Sequence, residues 1–347
     1  MSDASTENQQ VESIDPRIRN LSYSSLNTLH SCPRKYQLYK LGSDESEGDL
    51  ANRISSSITF AYGHVIGDGI QAILEGMPRE QWLLRAFLFW EPDLLLANEK
   101  QNKSFWGAIH ALDQFAAMRA SGFLKGYKLV HYQDKPACEL SFAIHLPAGF
   151  IYRGFVDVVL QHESTGKVLV LELKTTGSAT VNPATYKNSA QAIGYSIVLD
   201  AIFPDLSSYE VLYLVYQAKS ESYQPLTFNK SYYQRALWIR ELLLDIEVIK
   251  MYEGVGIYPM RGESCFNFFK ECEYYGLCTL STERLTKVLP DNWDEKAAEE
   301  LARFQIQISL EELIRAQVAK QAKSEQEPAI ENTSINSVVI DMEDEIL

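Results

Sequence analysis

A short apolar run, Val168-Leu-Val-Leu-Glu172-Leu-Lys174-Thr175-Thr176, carries two charges two positions apart. Alternate side chains of a strand point to opposite faces, so Glu172 and Lys174 share one face. The run before it, Gly154-Phe-Val-Asp157-Val-Val, carries one further acid. A turn at His162-Glu-Ser-Thr-Gly166 folds the two runs into a hairpin whose facing positions sum to about 330. Asp157 then stands opposite Glu172 to Lys174, about 5 Å across the ladder. Two carboxylates and an ammonium converge near the end of that hairpin.

Such a trio suits a hard divalent cation, since magnesium takes one or two carboxylates and keeps several waters. The ion lowers the pKa of a water and neutralises charge on a phosphate under attack. A lysine beside it could orient or deprotonate that water, or stabilise the charge of the transition state. The plain alternative is a surface ladder of ion pairs. Against it stand the apolar character of the strand on both faces and the opposed Asp157. Further on, Gln191 and Tyr195 lie four apart in a helical stretch, hence on one face. Packing of a tyrosine on the sheet is the alternative there.

Together, Gly154-x-x-Asp157, Glu172-x-Lys174-Thr175-Thr176 and Gln191-x-x-x-Tyr195 resemble the PD-(D/E)XK nuclease superfamily, above all its RecB-like exonuclease branch. The resemblance spans roughly Leu21 to Leu280. It implies an α/β, restriction-endonuclease-like fold: a mixed central sheet flanked by helices, with an N-terminal helical region and a C-terminal Cys-rich segment. It implies Mg2+ or Mn2+ held by Asp157, Glu172 and the Leu173 carbonyl, with Lys174 as catalytic lysine. Gln191 and Tyr195 would contact the scissile phosphate or nearby backbone. Glu139 sits where several relatives carry a glutamate and is a further candidate ligand. The branch's upstream Gly-x-x-x-His departs here: Gly63 is followed by Gly67 at the histidine position. His64 and Asp68, one turn apart, are the candidate substitutes.

Cys265-x6-Cys272-x5-Cys278 follows the last core helix, and Cys32 lies far upstream in His30-Ser-Cys-Pro-Arg-Lys-Tyr36. Four thiolates can hold zinc or an iron–sulfur cluster, and buried free thiols are the alternative. The set resembles iron–sulfur members of the same branch, including a CRISPR adaptation nuclease and the AddB nuclease domain. Their trio is C-x2-C-x5-C; here the second spacing matches and the first is longer. The resemblance implies a [4Fe-4S] cluster on Cys32, Cys265, Cys272 and Cys278 that staples the chain ends together. Cys138 is left for the core.

Arg34, Lys35 and Lys40 interleave with Tyr36 and Tyr39, a segment suited to gripping phosphates and stacking bases. Lys187, Lys219 and Lys230 would extend the groove. Nothing reads base edges, so weak sequence preference is expected. The net charge of −14 at first disfavours DNA. However, 14 acidic and 6 basic residues fall after Leu285, leaving the rest only mildly acidic. The chain of 347 residues, 46% hydrophobic, is ample for a large core. It shows no apolar run of about eighteen residues and no signal peptide, so no membrane partner and a cytoplasmic location, in a bacterial or phage-infected cell, are expected.

These elements must position the trio. Residues 1–20 read as a disordered leader and 21–285 as the nuclease domain. Helices are expected at 23–40, 60–75, 80–98 and 105–121, the last three forming a helical insertion. Strands follow at 138–146, 152–161, 168–174 and 209–217, with helices at 189–203 and 232–252, in a catalytic core of about 137–252. Residues 258–280 form the Cys-rich segment. Residues 286–347 read as a charged helix and an acidic, disordered end that could dock a protein partner. The expected function is a metal-dependent DNA exonuclease of phage or bacterial recombination, replication or repair, acting on linear ends or single strands. The alternative, a non-catalytic DNA-binding or regulatory subunit of the same fold, fits less well with an intact Asp157, Glu172 and Lys174.

Overall fold

Apolar runs covered on both faces become the middle of one sheet. The computed structural model describes residues 14–42, 58–90, 103–206, 208–267 and 270–326. Its main strands are β1 (Asn20–Leu21), β2 (Tyr127–Leu129), β3 (Cys138–His145), β4 (Ile151–His162), β5 (Val168–Thr176), β6 (Ser208–Gln217), β7 (Ser222–Ser231) and β8 (Ile306–Ser309). The sheet runs β8-β3-β4-β5-β6-β7, with β1 and β2 paired to the two ends of the long β4. β3, β4 and β5 are antiparallel neighbours, β6 lies parallel to β5, and β8 lies parallel to β3. Val158 faces Leu171 and Val159 faces Val170. One further step along this register sets Asp157 across from Glu172.

Helices cover both faces. On one side lie α1 (Tyr23–Ser31) and α2 (Pro33–Leu41). On the other lie α3 (Ile58–Leu74), α4 (Arg79–Phe89) and α5 (Phe105–Ala120). The parallel step from β5 to β6 needs a crossover, supplied by the short helices α6 (Ala190–Gly194) and α7 (Ser196–Ile202) on the α1 side. Also on that side packs α8 (Tyr232–Val255). One core gathers Leu26, Val170, Val198, Tyr213 and Trp238. The second gathers Val65, Trp82, Leu112, Val158, Leu171 and Leu214.

Several expectations change. The expected helix over 23–40 breaks at Cys32, whose backbone is extended at φ −159°. The ring of Pro33 disfavours helical geometry in the residue before it, and proline itself suits the first turn of α2. The helix over 189–203 divides at Tyr195. β7 was not anticipated, because Ser-Tyr-Gln-Pro-Leu-Thr-Phe-Asn-Lys-Ser is polar and holds Pro225. It forms the outer strand beside β6, where a proline is tolerated.

The expected leader is structured from Ile14 on: Ile14 and Ile18 are buried, and β1 joins β4. After residue 285 the chain adds α9 (Trp293–Ala302), β8 and α10 (Leu310–Gln326), so this segment completes the sheet rather than trailing from it. Residues 1–13, the expected helix past Trp90 and the acidic end from residue 327 lie outside the described residues.

A buried polar network fastens α10. Arg235, fully buried, donates to Gln317 Oε1 at 2.8 Å and pairs with Asp200. Lys320 reaches Asp200 at 3.1 Å and stands 4.2 Å over the Tyr232 ring. Removing one member of a buried ion pair strands its partner. Arg235→Ala is therefore expected to cost about 3 kcal/mol, read from urea unfolding midpoints. A loss within ~0.5 kcal/mol would show that the network does not hold the helix.

Candidate active site

The sheet's two-residue alternation breaks at the level of the acids. On β4, Val156 packs in the first core and Val158 in the second. On β3, Leu140 belongs to the first core and Cys138 packs against the second. The register carries through, with Cys138 facing Val158 and Leu140 facing Val156, but Glu139 and Asp157 between them do not pair. The change of face on β3 coincides with Glu139, which takes a left-handed φ of 48°. Such a backbone at a non-glycine residue costs on the order of 1–3 kcal/mol and tends to occur at functional sites. Here it keeps an acid out of both cores. Close approach of the two strands also explains the motif glycine, since a Cβ on Gly154 would lie 2.9 Å from the Phe142 ring.

Glu139, Asp157, Glu172, Leu173, Lys174 and Gln191 line one cavity of about 700 Å3, walled on its far side by α3. The Leu173 amide donates to Asp157 Oδ2 at 2.8 Å. Lys174 Nζ lies 2.5 Å from Glu172 Oε1 and donates to Gln191 Oε1 at 3.1 Å. Tyr195 is only 1% exposed, and its hydroxyl donates a short hydrogen bond to Glu172 Oε2. Gln191 thus faces the cavity. Tyr195 lies beneath Glu172 and braces it, a different place from the phosphate-facing wall expected of it.

The charges are unbalanced. Burial, then the neighbouring Glu172 and Glu139, push the Asp157 carboxyl well above the usual range, against the pull of Lys174 and the Leu173 amide. Glu139 is open to water in the cavity but enclosed by protein elsewhere. Desolvation and then Glu172 raise it to about 7. Burial alone would favour neutral Lys174, but Glu172 and Asp157 outweigh it and hold the ammonium charged. Three carboxylates thus share one ammonium, and an oxygen-seeking divalent cation is the counter-charge that fits. Among the described residues, no three His, Cys, Asp or Glu side chains close around a metal position. The fit rests on the chemistry of the donors.

On α3, His64 lines the cavity, and burial lowers its pKa, favouring the neutral imidazole that can bind metal. Asp68 is less available, because Arg85 engages both its oxygens, one at 2.9 Å. Gly67 lines the cavity, with open space where a Cβ would project. Gln71 was not anticipated; its Nε2 lies 3.4 Å from Glu139 Oε1. Its place one turn beyond Gly67 on the same helix face is the signal that could have found it.

The Arg34–Tyr36 segment is engaged within the fold. Arg34 is 7% exposed and donates to the Leu280 carbonyl at 2.7 Å and Thr282 Oγ1 at 2.8 Å. Lys35 pairs with Glu273 at 3.3 Å. Tyr36 is buried with its hydroxyl on the Ile18 carbonyl, and Lys40 caps the Asn20 carbonyl. Lys230 is likewise buried, donating to the Lys187 carbonyl at 2.6 Å. These long side chains satisfy backbone carbonyls inside the fold. Only Lys187 and Lys219 of the expected groove are exposed.

Cys32, Cys265, Cys272 and Cys278 share one neighbourhood, but among the described residues no three of them close around a metal position. Cys272 N–H donates to the Cys265 carbonyl at 2.8 Å, and Ser264 Oγ to the Ser31 carbonyl at 2.7 Å. Burial and then the nearby Cys272, Cys32 and Cys265 raise the Cys278 thiol. Cys138 stands apart, half-buried against the second core, and burial lifts its thiol to about 12.

The raised carboxyl groups carry a pH signature. In the metal-free protein, folded Glu139 keeps a proton that the unfolded chain releases at its ordinary pKa of about 4.3. Its contribution therefore lowers stability as pH climbs from there to about 7. Glu139→Gln is expected to raise the melting temperature at about pH 8 and to bring little gain at about pH 4. An equal gain at both would place the benefit outside this titration. Added Mg2+ should narrow the difference at the higher pH.

A family model of the PD-(D/E)XK nuclease superfamily matches residues 20–279, well over half of the chain. Among curated proteins, none matches. The crystal structure of SSO0001 is similar at 13% identity, over 62% of this chain and 85% of that one, with a TM-score of 0.27. That score is too low to carry an argument. The mixed, helix-flanked sheet is of the restriction-endonuclease-like kind, and with the family match over its whole catalytic core the chain belongs to the PD-(D/E)XK nuclease superfamily.

Proposed function

We propose that this protein is a Mg2+- or Mn2+-dependent DNA exonuclease of bacterial or phage recombination, replication or repair, working in the cytoplasm on linear ends or single strands. The observation that supports it is the meeting of Asp157, Glu172 and Lys174 in one cavity with carboxylate charge in excess. Asp157, Glu172 and the Leu173 carbonyl would hold the cation, with His64 and Glu139 as further ligands. When bound, the cation supplies positive charge at the phosphate and a more acidic water.

The chain's own residues do the rest. Tyr195 fixes the carboxylate of Glu172, and the Leu173 amide fixes that of Asp157. Gln191 tethers the Lys174 ammonium. Because Lys174 stays protonated, its role is to orient the attacking water and to meet the charge growing on the phosphate, rather than to act as a base.

The nearness of the four thiols supports a [4Fe-4S] cluster on Cys32, Cys265, Cys272 and Cys278, which would draw them closer together, with zinc as the rival occupant. Placed between α2 and the Cys-rich segment, it would add a second fastening to that made by Arg34.

End-labelled linear and circular DNA with Mg2+ or Mn2+ provide the test. The wild type is expected to shorten linear but not circular substrate, and Lys174→Ala to lose at least about a hundredfold in rate. Equal cleavage by that variant, or none by wild type, removes the reading; nicking of circles makes it an endonuclease. For the thiols, anaerobically purified protein is expected to be brown and to bleach with Cys272→Ser. Colourless protein carrying zinc would replace the cluster, and metal-free protein with four titratable thiols would dismiss both.

A further inference from the structure

The outward side of a surface helix is ordinarily polar. On α4, Trp82 and Ala86 point into the second core, yet the opposite side carries Leu84, Phe87 and Leu88, the last two 59% and 72% exposed. At the helix end Phe89 is 52% exposed and forms part of the wall of the catalytic cavity itself. It lies one turn from Arg85, which is occupied with Asp68 on the same wall. The ring thus shares one cavity with Asp157, Glu172 and Lys174.

That ring has no ion to bind and no hydrogen bond to make. The rest of the lining is acidic and amide-bearing, which suits a cation and, through it, a phosphate. An aromatic face open to water beside a phosphate site matches the flat face of a nucleobase, and base–aromatic stacking is indifferent to sequence. Within continuous duplex both faces of each base are covered by neighbours. A base must be unpaired or terminal to offer its face. Resting on the nuclease reading above, we propose that Phe89 stacks on an unpaired base next to the scissile phosphate and so selects single-stranded or frayed DNA over continuous duplex.

Binding is measured on the full chain with Ca2+ in place of Mg2+, another oxygen-seeking cation that offsets the acidic lining, using a single-stranded oligodeoxynucleotide that carries 2-aminopurine and is checked to be intact afterwards. Wild type is expected to quench the probe as it stacks. Phe89→Ala should weaken binding about tenfold, or ~1.4 kcal/mol. Phe89→Tyr should restore it, and Phe89→Leu, which keeps the bulk without the ring, should not. An abasic nucleotide at the stacked position should make wild type bind as Phe89→Ala does, the signature of one shared interaction. Continuous duplex should bind wild type and variant alike.

Equal binding of the single strand by wild type and Phe89→Leu overturns the proposal, even if cleavage proceeds. Quenching without any cleavage in Mg2+ leaves the stacking standing and removes the nuclease reading. A concentration-dependent dimer abolished by Leu88→Lys, with DNA binding unaltered by Phe89→Leu, assigns the face to a second copy of this chain and also overturns it.

Discussion

Three carboxylates are held around one ammonium in the middle of a sheet, and much of the fold exists to keep them there. Glu139, Asp157 and Glu172 repel one another, and the burial of Glu172 and Asp157 strengthens the repulsion by removing water. Left to themselves they would swing to solvent. They cannot, because each is fixed by something rigid: Glu172 by the hydroxyl of Tyr195, Asp157 by a strand amide, Glu139 by its own backbone conformation. Antiparallel neighbours on one side of β5 and a parallel one on the other leave no freedom for the strand to relax. The site stores electrostatic work that a cation bound among these acids would release.

That origin explains what could be read from the sequence. Facing positions in a hairpin follow from a period of two and the place of the turn, so the opposition of Asp157 and Glu172 was legible from local pattern. So were the central strands, whose apolar runs record their burial on both faces. Features fixed by distant partners were not. β7 is a strand because β6 offers it a ladder; its composition argues against it. Arg34 and Tyr36 look like a basic, aromatic DNA grip, yet carbonyls more than 200 residues downstream claim the guanidinium and the Ile18 carbonyl claims the hydroxyl. The left-handed Glu139 leaves no trace in residue type, since the sequence gives glutamate where glycine would announce such a backbone.

The first described residues are bound to the segment around residues 278–287. Arg17 donates to the carbonyls of Leu41, at 3.1 Å, and Lys287, at 2.9 Å. Arg34 joins α2 to the segment around Cys278 and Leu280. The leader's buried Ile14 and Ile18 lie in the same core as α1 and α8. These contacts make residues 14–41 a part of the domain's interior, and they set Cys32 near the segment that carries the other three thiols.

The parallel strand β8 has a consequence for how the protein is made. It pairs with β3 across more than 160 residues of sequence, and Arg153 on β4 reaches Glu300 at 3.1 Å just before it. During synthesis the catalytic strands emerge long before residues 306–309 do. Until then β3 is a bare edge, ready to pair with another nascent chain. The arrival of residues 306–309 therefore caps a surface that would otherwise invite misassembly, and loss of that strand would expose an aggregation-prone edge while leaving every residue of the acid cluster in place.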